Sequence, residues 1–437
     1  MISIEEWSVA APSKKVERFL EREAFPAVAE AAASTVLADI RKRGDKAVAA
    51  AVAKYEGNRN LKPSGFRIPD AELAKAAESV PAPLRRAVRD AYSRVLRFAK
   101  AGLRKDWKIS TPGGGEEGEF FTPMERVGVY VPGGTAPLAS TSVMTVTLAR
   151  AAGVRDIVVC TPGGKTGEVN PVLLYALSVA GATSVYRVGG IQAIGMMAFG
   201  TASCPKVLKI AGPGNAFVTA AKRQVYGHVA IDQVAGPSEI AVLSDGSADP
   251  AWVAADLLSQ AEHGSGLEKS LFVTQSRGFA EKVKAEILRQ TRTLSRRALV
   301  ERVIRAGGIL LAVAPDIGEC MELVNRFAPE HFEIMCRNAK KLLGKVRSAG
   351  AVFVGPWTPE SAGDFVAGPS HVLPTGGAAK MFSGLTADDF RCRHSFVSYT
   401  EKDLRGTADT IAAFAKVEGL DGHGRAAAIR FDRSVAD

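Results

Sequence analysis

The sequence predicts an α/β protein built on parallel sheets, and three observations carry that prediction. From Arg126 onward, short apolar runs end in glycine or proline and alternate with helical patterns. The runs Val127 to Val131, Asp156 to Cys160, Ser184 to Val188 and Lys206 to Ile210 are too continuously apolar for a sheet with one wet face. A second series follows the first: Ile240 to Leu243, Leu271 to Thr274, Ile309 to Val313 and Ala351 to Gly355, with helices over Trp252 to Glu262 and Ala280 to Gln290 between them. Helices on both faces of each sheet follow from this alternation. The glycine-marked strand ends then fall at carboxyl edges, where open α/β sheets bind ligands.

Before Arg126 the pattern is helical. Ala27 to Tyr55 repeats apolar residues at helical spacing and stops at Gly57; Pro81 to Leu103 forms a second stripe through Leu84, Val88, Ala91, Val95 and Phe98. Between the helical third and the first run, Pro112-Gly-Gly-Gly-Glu-Glu-Gly118 formally matches G-x-G-x-x-G. It reads as a hairpin turn, because no buried strand precedes it and two glutamates would repel a pyrophosphate. The tail from about Phe390 offers a strand at Ser395 to Tyr399, a helix through Ala412 and Ala413, and too little apolar material for its own core. With 437 residues the chain divides into several units. The reading is an N-terminal helical segment (1–29), a discontinuous α/β domain (30–129 with 240–385), a second α/β domain (130–239) and a C-terminal tail (386–437).

Composition narrows the function classes. Hydrophobic residues at 46% and charged residues at 23% are globular values, and no apolar run approaches the roughly 20 residues needed to span a bilayer. The start of the sequence shows no secretory pattern, so a cytoplasmic protein is expected. The five cysteines are scattered without C-x-x-C pairs, which points to reduced, inert thiols. A net charge of +10 raises nucleic-acid binding as a candidate, but the basic residues are dispersed among acidic neighbours and not interleaved with aromatics. A solvated surface is the better reading.

Chemistry-bearing residues concentrate late in the chain. Gln260-Ala-Glu-His263 closes the helix beginning near Trp252, and its i, i+3 spacing puts Gln260 and His263 on one face. Imidazole is the commonest metal ligand, though a capping histidine at a helix end gives the same pattern. Ala328-Pro-Glu330-His331 sets a carboxylate beside an imidazole on a loop, two proton-transfer groups of different strength or simply a charged turn. Asp364 lies on a glycine-flanked loop after Thr358-Pro-Glu-Ser, His371 in Gly368-Pro-Ser-His371-Val-Leu-Pro-Thr, and His423 five residues beyond Glu418. Two histidines, a glutamine oxygen and a carboxylate would suit zinc. Two turns complete the set: Ala235-Gly-Pro-Ser238-Glu, which presents a hydroxyl, and Gly212-Pro-Gly-Asn215, which opens a helix whose amides could hold an anion.

In order along the chain, Tyr130-Val-Pro-Gly-Gly, Gly189-Gly-Ile-Gln192, Gly212-Pro-Gly-Asn215, Ala235-Gly-Pro-Ser238-Glu, Gln260-Ala-Glu-His263, Ala328-Pro-Glu330-His331, Thr358-Pro-Glu-Ser-x-Gly-Asp364, His371-Val-Leu-Pro-Thr and Glu418-Gly-Leu-x-x-His423 resemble the histidinol dehydrogenase family. The resemblance covers nearly everything after residue 30, and the ordered series is specific where each motif alone is not. It implies two Rossmann-like, aldehyde-dehydrogenase-like sheet domains and one Zn2+ per subunit on Gln260, His263, Asp364 and His423. It also implies an acid/base pair of Glu330 and His331, and substrate contacts from Ser238, Gln260, His263, His331, Asp364, Glu418 and His423 with His371 close by. NAD would lie against Tyr130, Gln192 and Asn215. The family is a homodimer whose tail lends Glu418 and His423 to the partner's site.

The implied reaction is oxidation of L-histidinol through its aldehyde to L-histidine, the last step of histidine biosynthesis, with two NAD and one water. Departures from the usual family pattern include Gly264-Ser-Gly after Gln260-Ala-Glu-His263, Met144-Thr-Val-Thr-Leu-Ala, and Asp232-Gln-Val before Ala235. Competing readings are a paralogue oxidising another small alcohol such as a sulfonated diol, a metal-assisted hydrolase, and a nucleic-acid binder. Glu418 and Ser238 favour histidinol, since a sulfonate would want a cationic pocket.

Overall fold

The structure, a computed structural model, describes residues 2–21, 26–133, 138–263 and 265–432. Gly134 of the Tyr130-Val-Pro-Gly-Gly motif and Gly264 lie outside them. Chain order opens with β1 (Ser3–Glu6), α1 (Lys14–Leu20), α2 (Ala27–Arg43), α3 (Asp45–Ala51), α4 (Asp70–Ser79) and α5 (Ala82–Gly102), then the strands β2 (Trp107–Ser110) and β3 (Glu116–Pro123). The first parallel series is β4 (Arg126–Tyr130), α6 (Ala139–Ala151), β5 (Asp156–Cys160), α7 (Pro171–Ala180), β6 (Ser184–Tyr186), α8 (Gly190–Phe199), β7 (Lys209–Ala211), α9 (Ala216–Val225) and β8 (Ala230–Ile231). The second begins β9 (Glu239–Ser244), α10 (Pro250–Ala261), β10 (Lys269–Thr274), α11 (Arg277–Thr291), α12 (Arg297–Arg305) and β11 (Ile309–Val313). It continues α13 (Ile317–Phe327), β12 (His331–Ile334), α14 (Ala339–Leu342), β13 (Ala351–Val354) and α15 (Glu360–Phe365), before β14 (Arg391–Ser398), α16 (Glu401–Glu418) and α17 (Asp421–Ala428).

Two compact units result. The first, Met1–Gly102 with Met124–Phe390, holds both parallel sheets. One sheet has the order β1-β11-β10-β9-β12-β13 and the other β6-β5-β4-β7-β8. Strands with Ala-, Val-, Ile- and Leu-rich sequences and every residue buried, such as β9 and β11, account for the absence of polar alternation. Among β9 to β13 the strand order of the six-stranded sheet reverses at β9/β12, with β1 added at the β11 edge, and that of the five-stranded sheet reverses at β4/β7. The fold class expected from sequence is thus the one observed.

Several elements differ from the sequence reading. Residues 3–6 are not helical but form a parallel edge strand on β11, with Ile2 and Trp7 buried in the cores on opposite faces of the sheet. Gly44 divides the long first helix into α2 and α3. The helices of residues 27–56 pack on the five-stranded sheet, in one core with Tyr130, Val158, Ile194 and Val218, whereas the sequence reading had grouped residues 30–129 with 240–385. Helix α6 had no periodic signal because it is buried on all sides from Thr141 to Ala149. His331 to Ile334 forms a central strand where a loop was expected.

The second unit, Leu103–Pro123 with Arg391–Asp437, is an antiparallel sheet in the order β14-β3-β2 with α16 and α17. Its Gly113-Gly-Gly115 turn joins β2 to β3, the hairpin expected from sequence. The Asp403 carboxylate accepts the Gly113 and Gly115 amides, and a Cβ at Gly113 would come 2.2 Å from that carboxylate. The glycines therefore wrap the protein's own anion. No helix among the described residues is long and apolar enough to cross a membrane. Cys160, Cys204, Cys320 and Cys336 are buried free thiols and Cys392 is exposed.

Candidate active site

At the amino edge of the six-stranded sheet, three elements meet. Strand β12 contributes His331 as its first residue, only 2% exposed. Helix α10 runs antiparallel to the strands, capped by Asp249 and started by Pro250, so its last turn delivers Gln260 to the same edge, with His263 just beyond. Helix α15 starts at Glu360 after Pro359, and its i, i+4 spacing presents Glu360 and Asp364 together.

The His331 Nδ1 lies 2.9 Å from Gln260 Oε1 and 3.3 Å from the Glu239 carbonyl oxygen. Two acceptors on that nitrogen place the proton there, leaving the Nε2 lone pair free. Nε2 has no hydrogen-bond partner and sits 3.7 Å from Asp364 and 4.0 Å from Glu360. Burial, with His263 and His371 nearby, pulls the His331 pKa down to about 3. The ring is therefore neutral, and its approach to the carboxylates is not an ion pair.

Glu330 accepts the Glu239 amide at 3.1 Å and the Ser238 hydroxyl. Burial pushes its carboxyl well above the usual range, reinforced by Asp364 and Glu360, while the Ser238 bond opposes the shift. Although adjacent in sequence, Glu330 and His331 both reach the site, their side chains 3.8 Å apart. The preceding Ala328 has φ 49°, the one left-handed residue other than glycine among those described, a conformation costing about 1–2 kcal/mol. It ends α13 and turns the chain sharply into Pro329 and Glu330. His371 is held at both nitrogens: Nδ1 donates to the Asp364 carbonyl at 3.0 Å, and Nε2 accepts from the Thr141 hydroxyl of α6 at 3.1 Å. Burial lowers its pKa to about 4.

His263, Glu360 and Asp364 offer ligand atoms all within 4.8 Å of one another. Around them, Gln260 Nε2, His331 Nε2 and Glu360 Oε1 are buried without hydrogen-bond partners. One imidazole and two carboxylates converging, with the His331 Nε2 lone pair and Glu360 Oε1 unclaimed, fit a divalent cation of the zinc type; Gln260 could ligate only through its Oε1, since its Nε2 is a hydrogen-bond donor. Burial also raises Asp364, and burial together with Asp364 raises Glu360. A cation would reverse both shifts. Glu360 was missed in the sequence reading; the Pro359-Glu360 helix start, four residues before Asp364, was the available signal.

The candidate cofactor residues gather at the carboxyl edge of the five-stranded sheet. Tyr130 ends β4, and its hydroxyl oxygen accepts the Gly190 amide at 3.1 Å. Gln192, 1% exposed in the first turn of α8, donates from Nε2 to Glu56 at 2.8 Å. Asn215 caps α9 by accepting the Phe217 and Val218 amides, both at 3.1 Å, so it takes two of the amides that the sequence reading offered to an anion. Gly212, at φ +116°, passes so close to Tyr130 that a Cβ would lie 2.1 Å from its carbonyl oxygen. Beneath that turn, buried Asp232 accepts the Gly212 amide and pairs with Lys222. Carboxyl strand ends at a reversal of strand order are where open α/β sheets bind ligands.

Glu418 ends α16 and His423 lies in α17; both belong to the second unit and are exposed there. The first unit brings together Ser238, Gln260, His263, Glu330, His331, Asp364 and His371 at one edge, and Tyr130, Gln192 and Asn215 at another.

The family profile of histidinol dehydrogenase matches residues 21–431. The chain belongs to the histidinol dehydrogenase family. It is 41% identical over 423 residues to a histidinol dehydrogenase of Heliobacterium mobile, covering 97% of this chain and 98% of that one. A relative of the same name from Geobacter metallireducens is 43% identical, covering 90% of each chain. The crystal structure of histidinol dehydrogenase from Elizabethkingia anophelis superposes with a TM-score of 0.92 at 33% identity, over 100% of this chain and 99% of that one.

Proposed function

We propose that the chain is a zinc-dependent, NAD-linked histidinol dehydrogenase that oxidises L-histidinol to L-histidine through L-histidinal. The single observation that carries this reading is the buried, neutral His331, whose free Nε2 faces the His263, Glu360 and Asp364 cluster beside Glu330. Each turnover consumes one water and passes two hydrides to two NAD. Gln260, His263, Asp364 and His423 would hold zinc, the last from a partner subunit in a homodimer, and bound zinc would anchor the substrate and polarise its reacting oxygen.

His331 Nε2 takes the alcohol proton. The Gln260 and Glu239 oxygens keep Nδ1 protonated and fix the ring plane. Glu330, made more basic by burial, removes a proton from the water that attacks the aldehyde, with Ser238 and the Glu239 amide aiming its carboxylate. Substrate recognition by Ser238, Glu418, His423 and His371 completes the assignment, with Tyr130, Gln192 and Asn215 against NAD. The carboxylate-rich site disfavours an anionic sulfonated diol, the alternative substrate.

The test is NADH formation from L-histidinol by zinc-loaded and by chelated protein. Two NADH per histidinol in the loaded sample, and none after chelation, is the expected result. One NADH, or a rate indifferent to chelation, overturns the reading.

A further inference from the structure

Glu56 takes no part in the chemistry described so far. It ends a one-turn π-helix (Val52–Glu56) after α3, and π segments are rare outside functional sites. Its carboxylate accepts the Gly189 amide at 2.9 Å and Gln192 Nε2 at 2.8 Å, and also the Gly163 amide. These donors come from the turns after β5 and β6 and from the first turn of α8. The next amide, that of Gly190, goes to Tyr130. Exposed amides where a strand feeds a helix amino terminus are the usual seat of a dinucleotide phosphate. Here the protein's own carboxylate fills the seat.

Resting on the cofactor reading above, we infer that Glu56 is a positioning residue for NAD. It substitutes for a phosphate at the amino terminus of α8, fixes the Gln192 side chain, and so confines the cofactor to the β4/β7 crevice beside Asn215. An absent side chain leaves Gly189 and Gln192 without their acceptor, whereas a glutamine keeps one weaker, neutral oxygen and turns an NH2 toward the remaining donor; either change weakens cofactor binding while the proton-transfer groups at the other sheet are untouched.

Calorimetric titration of zinc-loaded protein with NAD, alongside steady-state kinetics, tests this in Glu56→Ala, Glu56→Gln and the pairing of Glu56→Gln with Gln192→Ala. The Kd for NAD rises about tenfold in Glu56→Ala and at least about threefold in Glu56→Gln, as expected for loss of a charged acceptor. KM for NAD follows, while kcat at saturating NAD stays within about twofold. Glu56→Gln keeps the shape of the side chain and so guards against a misfolded alanine variant. Non-additivity with Gln192→Ala supports the inference. Unchanged NAD affinity in folded Glu56→Gln, lowered Tm with intact affinity in Glu56→Ala, or full additivity overturns it. A wild-type chain that binds NAD yet makes no NADH from histidinol overturns the substrate reading alone; an active wild type with an indifferent Glu56→Gln overturns this inference alone.

Discussion

The two parallel sheets of the first unit use opposite edges. In the five-stranded sheet Tyr130 and Asn215 sit at the carboxyl ends of β4 and β7, where strand order reverses, as open α/β sheets generally arrange it, and Gln192 follows β6 at the same edge. In the six-stranded sheet the reversal lies between β9 and β12, yet the acid/base and metal-type cluster sits at the amino ends of those strands. The difference lies in what supplies the side chains. One edge is made of glycine turns that let a ligand approach backbone; the other is made of a helix's last turn, a left-handed corner at Ala328 and a short helix, which bring long polar side chains inward. In the proposed function the first kind of edge would hold the cofactor and the second would move protons.

The comparison breaks most visibly at His331. Replacing it with alanine is expected to lower kcat about a thousandfold, with zinc content by atomic absorption unchanged; retained activity would remove the amino-edge cluster from the chemistry. At the other sheet, Lys222→Met strands Asp232 as a buried charge under the Gly212 turn. Stability should fall by about 3–5 kcal/mol in urea unfolding, and a neutral result would mean that the turn does not depend on the pair.

Glu330→Gln should cost about a hundredfold in the second oxidation and much less in the first. Histidinal trapped by a carbonyl reagent would then approach one equivalent per NADH, and equal losses in both steps would erase the division of labour. The smallest effect concerns metal-free protein. Glu330, Glu360 and Asp364 have folded pKa values raised above their unfolded ones, so their contribution is fully present below the unfolded carboxyl range and is lost as pH rises. Above about pH 7.5 histidines are essentially neutral in both states. The Tm of chelated protein should therefore drop between about pH 7.5 and 8.5 by more than that of zinc-loaded protein. Parallel curves would count against a cation among these carboxylates.

How much of this was legible in the sequence follows the same divide. Strand-glycine-helix punctuation exposed β4 and β5 almost to the residue and located β6 and β7, though β6 ends earlier and β7 begins later than read, because glycine and proline act locally. The amino-edge cluster had no local signature. His331 looked like loop because β12 is only four residues long and begins with a buried polar group. Glu56 was invisible for a related reason: its role comes from donors far away in the chain, and burial of a carboxylate contradicts its ordinary preference for water; Glu360 had only its helix start, four residues before Asp364, to mark it. Helix α6, buried all round with hydroxyl residues among its apolar ones, had no face to betray it. The family resemblance supplied Gln260, His263 and Asp364 as a set, which spacing alone did not.

The edge strand β1 has a bearing on how the molecule comes into being. Ser3 pairs with Leu310, so this strand must wait for a long stretch of later chain before its partner exists. Until β11 arrives, Ile2 and Trp7 are unsheltered apolar groups, and β11 itself keeps an open flank. Completion of the six-stranded sheet is thus a late, long-range event of the slow-folding kind. A nascent chain stalled before residue 313 would present a sticky strand in search of a mate, a natural point of engagement for chaperones.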